Sequence, residues 1–136
     1  MKLVMTAICL LATALFLISC GGESTATADD GLVLNDGKKW QMDDHTRASF
    51  AKMAASFVDA DAAALGTDGL KQAGNSLKED LDGLIQGCTM TGPDHDQLHV
   101  YLMAYIPAVT ALQESGQVED AKKVQHYLTI YGDYFE

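Results

Sequence analysis

Beyond Met42 the apolar residues of this chain recur at three- and four-residue spacing, the period of helices that bury one face. Phe50, Met53, Ala54, Phe57, Val58, Ala60 or Asp61, and Ala64 or Leu65 lie on one stripe, and Gly66 stands where a C-terminal cap belongs, so the spacing predicts a first helix ending there. A second helix is expected from about Asp68 to Gln86, with Leu70, Ala73, Leu77, Leu81, Leu84 and Ile85 facing inward and Gly87 closing it. Gly92-Pro93 opens a third, since proline suits the first helical turn, and Asp94 and Asp96 sit where the helix dipole favours anions. Its inward stripe is Leu98, Leu102, Tyr105, Ile106, Val109 and Leu112, with Pro107 removing one backbone bond to the Met103 carbonyl. The fourth follows Ser115-Gly116 and turns Val118, Ala121, Val124, Leu128, Tyr131 and Phe135 inward.

The pattern before Met42 is different. Leu32-Val33-Leu34 and Lys39-Trp40 flank Asn35-Asp36-Gly37-Lys38, and Asp-Gly between apolar pieces signals a tight hairpin. A lone hairpin is marginal, so Leu32, Leu34 and Trp40 are expected to lie against the helices. The fold class is therefore all-α: an up-down-up-down four-helix bundle with a short N-terminal β-hairpin, spanning residues 32–136. Residues 20–31, rich in Gly, Ser, Thr and acid without apolar periodicity, read as a flexible tether.

Residues 1–19 have a third character. Lys2 precedes about fifteen mostly apolar residues that end in small ones, which reads as a secretory signal and falls at the short end for a membrane span. Leu17-Ile18-Ser19-Cys20-Gly21 resembles the lipobox of bacterial lipoproteins. That resemblance implies cleavage before Cys20, diacylglycerol on its sulfur, and an exported protein held to a membrane of the cell envelope. Gly21 stands where some bacteria place an aspartate for inner-membrane retention, which favours the outer membrane.

Charge narrows the partners. The chain has 19 acidic residues against 9 Lys and Arg, a formal charge of −10, and loses Lys2 with the signal. An anionic surface repels nucleic acid and acidic lipid headgroups alike, so a membrane must be held through the lipid and a macromolecular partner would be another envelope protein. No serine lies in a nucleophile motif and no glycine loop is arranged to cradle phosphate, so the residues give no support for an enzyme.

Cysteine usage points to the one chemical constellation. On the lipobox resemblance Cys9 would leave with the signal and Cys20 take lipid, leaving Cys88 as a solitary thiol in a domain exported to where thiols oxidise. It stands beside Met90, His95, His99 and Met103. His95 and His99 are one helical turn apart and share a face with Met103, on the shoulder of the apolar stripe. Thiolate, thioether and imidazole are soft donors that favour copper as Cu(I), and a thiolate with two imidazoles also suits zinc. A second reading stays open: Cys88 and Met90 as packing residues, His95 and His99 as solvated or hydrogen-bonded ones. His45, Met42 and Met53 are more distant candidates, and His126 falls opposite the apolar face of its helix.

Overall fold

The Asp43 carboxylate starts the first helix by accepting the Thr46 amide at 2.6 Å, which satisfies a donor that has no partner inside the helix. The computed structural model in which this contact is seen describes residues 31–136; the lipobox, Cys20 and nearly all of the tether lie outside the described residues. Helix α1 (Asp44–Phe57) buries Thr46, Phe50, Met53 and Phe57. It stops nine residues before Gly66 because its end is met from elsewhere. The Gln125 side-chain amide donates to the carbonyls of Phe57 at 3.0 Å and Ala60 at 2.8 Å, and Asp61 then caps a new helix through the amides of Ala63 and Ala64.

That helix, α2 (Ala62–Gly87), contains Gly66 in a non-helical conformation (φ 64°, ψ 176°), so its first turn is set off from the rest. The expected break at Gly66 is present, but inside the second helix. Helix α3 (Gly92–Ser115) runs through Pro107 and ends at Gly116, whose left-handed backbone (φ 60°) returns its N–H to the Leu112 carbonyl. Helix α4 (Val118–Tyr134) follows after a two-residue connection.

The four helices surround one core. α2 packs on α1, α3 and α4, and α4 packs on α1 and α3. The backbones of α1 and α3 stay apart, and Phe50 bridges them with its ring edge on to Tyr101 at 5.3 Å and tilted against Tyr105 at 6.4 Å. α3 buries its expected stripe except Ile106, and Gln97, Tyr101 and Ala108 in addition, because it has neighbours on two sides. The Tyr101 hydroxyl donates to the Tyr127 carbonyl at 2.8 Å, which satisfies a polar group that burial would otherwise penalise. Burial raises the phenol pKa values of Tyr101 and Tyr105 well above their ordinary value, so both stay neutral donors. At Gly74 a Cβ would stand 2.8 Å from the Gln113 backbone, so glycine is what lets α2 and α3 approach this closely there.

The segment before α1 is tied to the other end of the chain. Asn35 and Lys38 exchange two 2.9 Å backbone bonds around Asp36-Gly37, and no strand extends from that pair. Trp40 instead pairs in parallel with Phe135: its N–H donates to Tyr134, and its carbonyl accepts from Glu136. Leu32 is buried and Trp40 half-buried, whereas Leu34 is exposed. Among the described residues no helix is long and apolar enough to cross a membrane.

Candidate metal centre

The first turns of α3 set the geometry. Thr91 precedes the helix, Pro93 lies in its first turn, and Asp94 accepts the Gln41 amide at 2.8 Å, which fixes this end of α3 against the segment that leads into α1. From there His95 and His99 project one turn apart. Their rings meet edge to face, with centroids 4.4 Å apart and planes at 84°, and their Nε2 atoms are separated by 3.2 Å. In one tautomer this is an N–H···N hydrogen bond. With both protons on Nδ1, the two Nε2 lone pairs are free for an ion.

The separation limits how such an ion could be held. Metal–imidazole bonds of roughly 2.0–2.1 Å across a 3.2 Å gap subtend about 100° at the ion, near the tetrahedral angle, whereas a linear pair would need about 4 Å. Two imidazoles placed this way leave coordination positions to fill.

Soft donors lie close by. A depression of about 160 Å³ between α2 and α3 has Leu84, Ile85 and Cys88 on one side and His95, His99 and Met103 on the other, over Leu98, Leu102 and Ile106. Four of the five residues anticipated as ligands thus share one lining, whereas Met90 does not reach it and packs half-buried against the core. Cys88 is a free, half-buried thiol. Among the described residues no three His, Cys, Asp or Glu side chains stand close enough together to hold an ion, so Cys88 shares the depression without closing a three-donor cluster.

The loop carrying Cys88 is held from the other side. Asp43, the cap of α1, also accepts the Thr89 amide at 2.6 Å and the Thr89 hydroxyl at 2.8 Å. Partial burial pushes the Asp43 carboxyl up, but the hydrogen bonds from Thr46 and Thr89 outweigh it and hold the group well below the usual carboxylate range. The residue after Cys88 is thereby tied to the start of α1. Sequence spacing could show the cap, with Thr46 three residues after Asp43, but not its second partner 46 residues away.

The more distant candidates go elsewhere. Met42 and Met53 are core residues, and Met53 accepts a hydrogen bond from the Tyr105 hydroxyl. His45 bonds the Gly83 carbonyl at 3.0 Å and lines a separate recess with Ser49, Lys52 and Asp80; Ser49 donates to the His45 backbone and Lys52 pairs with Asp80 at 2.6 Å. His126 is exposed on α4. Ile85 and Ile106, expected in the core, line the depression instead, Ile85 at 48% exposure.

The chain matches no protein-family model, no curated protein and no solved structure.

Proposed function

We propose that this chain is a lipid-anchored protein of the bacterial cell envelope whose helical domain binds a soft metal ion, Cu(I) before Zn(II), for storage, delivery or sensing, and is not an enzyme. The domain is an up-down-up-down bundle, as its short connections favour, preceded by a hairpin about Asp36-Gly37. The observation that carries the metal reading is the 3.2 Å approach of the His95 and His99 Nε2 atoms. The preference for copper rests on the sulfurs of Cys88 and Met103 in the same lining.

A competition titration of the reduced protein with Cu(I) and Zn(II) tests the site. His99→Ala is expected to weaken both ions tenfold or more, and Cys88→Ala to weaken Cu(I) more than Zn(II). Equally weak binding by the parent and both variants overturns the reading. The anchor has its own test: intact mass of the membrane-extracted protein is expected to show residues 1–19 gone and acyl mass on Cys20. A chain that retains those residues and carries no acyl mass removes the lipoprotein reading.

A second reading, an adaptor that docks on another envelope protein and binds no ion, is favoured by one feature: Ile85 and Met103 are large apolar residues exposed on the rim of the depression. The same titration separates the two.

A further inference from the structure

The geometry points to a second copy of this chain as the source of the donors that the His95–His99 pair lacks, giving a metal-bridged dimer with four imidazoles around one ion. This rests on the His95–His99 pair of the metal reading above and names the partner for that site, with a second pair of imidazoles in place of the Cys88 and Met103 sulfurs as the further donors. An imidazole pair spaced for about 100° at the ion calls for further ligands, since tetrahedral coordination takes four. Within one chain no third His, Cys, Asp or Glu of the described residues closes on the pair, and the residue after Cys88 is tied to Asp43 on α1. His95 is half-buried at the depression, and the outer side of the pair is open. His99 is exposed and Met103, one turn further along the same stripe, is 78% exposed.

A two-fold axis through the ion supplies the missing ligands without any new residue type, because an isologous contact presents the same patch twice. Two pairs of i, i+4 imidazoles meeting across that axis make a four-nitrogen shell. The same contact covers Ile85 and Met103 of both copies, the apolar residues at the rim.

Charge then makes the association conditional. Each chain carries a formal −10, which opposes pairing, and the ligand bonds to a shared ion are what offsets it. The metal-free protein is accordingly a monomer, and the ion acts as the switch for pairing.

The test uses the full chain, reduced, in detergent micelles, with Zn(II) and, anaerobically, Cu(I) as probes. Bound metal per chain and the protein mass of the particle, by sedimentation, are read together. Saturation at one ion per two chains, a doubled protein mass and its reversal by a chelator are the expected result. Ile85→Glu, at the rim and outside the donor set, is expected to weaken metal-dependent pairing at least tenfold with helical content unchanged. Saturation at one ion per chain with no change in mass overturns the dimer and leaves the single-chain site of the metal reading standing. No saturable binding overturns both. Pairing that proceeds equally well without metal also overturns the inference.

Discussion

Replacing Phe50 with alanine is expected to lower the free energy of unfolding by about 3–5 kcal/mol, the usual range for removing a large aromatic ring from a packed core. The ring is fully buried and stands where three helices meet: stacked on Tyr131 of α4 at 5.0 Å and 16°, and edge-on to Tyr101 of α3 at 5.3 Å. Because the backbones of α1 and α3 do not touch, no main-chain contact takes over when the ring is gone. Domains of this size have roughly 5–15 kcal/mol of stability in all, so the loss is a large fraction and lowers the melting temperature by roughly 15–25 °C. Urea denaturation of parent and variant measures it directly. Phe50→Leu, which refills much of the volume, should lose clearly less. A loss under about 1 kcal/mol for the alanine variant, with an unchanged denaturant slope, would mean the ring is not the joint between these helices.

Asp43→Ala is expected to lose about 2–3 kcal/mol at neutral pH, more than an ordinary helix cap at about 1 kcal/mol. The excess comes from the two Thr89 bonds, since hydrogen bonds to a charged acceptor are stronger than neutral ones. The sign of the pH dependence follows from the direction of the shift. The folded carboxyl is held below its unfolded value of roughly 3.9, so its contribution is complete above about pH 4 and is lost as the pH falls toward the folded pKa. Asp43→Asn keeps one acceptor and loses the charge. Its stability gap to the parent should therefore be widest at pH 7 and shrink steadily below pH 4. Denaturation curves at pH 7, 4, 3 and 2 measure that gap, and a gap constant over the whole series would show that the Asp43 charge contributes nothing to the clamp.

How far each helix could be read from the sequence depended on what ends it. α3 begins at Gly92-Pro93 and finishes before Gly116 as expected, because both signals are local: proline tolerates the first turn, and Gly116 takes the left-handed conformation that closes the last one. α1 ends at Phe57 although Ala60 and Ala64 continue the apolar spacing toward Gly66. The stop comes from Gln125, 68 residues away, which satisfies the Phe57 carbonyl. Tyr127 lies outside the expected α4 stripe yet is buried, with its carbonyl taken by Tyr101. Val118, placed on that stripe, is exposed. The site divides in the same way. The i, i+4 spacing is enough to bring His95 and His99 together, and they are together. A place for Cys88 beside them depended on the path of a loop that spacing does not set.

By itself, then, the sequence determined the four-helix pattern, the acidic surface and the meeting of two imidazoles, because each follows from local periodicity, local capping or composition. Only the tertiary structure decided where α1 gives way to α2, that the Trp40 segment pairs with the C-terminal residues, and that Cys88 and Met103 share a lining which Met90 does not reach. Those outcomes hang on Gln125 at Phe57, Trp40 at Phe135 and Thr89 at Asp43, contacts between residues far apart along the chain. No periodicity encodes such contacts; they exist only once the helices have packed and brought donor and acceptor within reach.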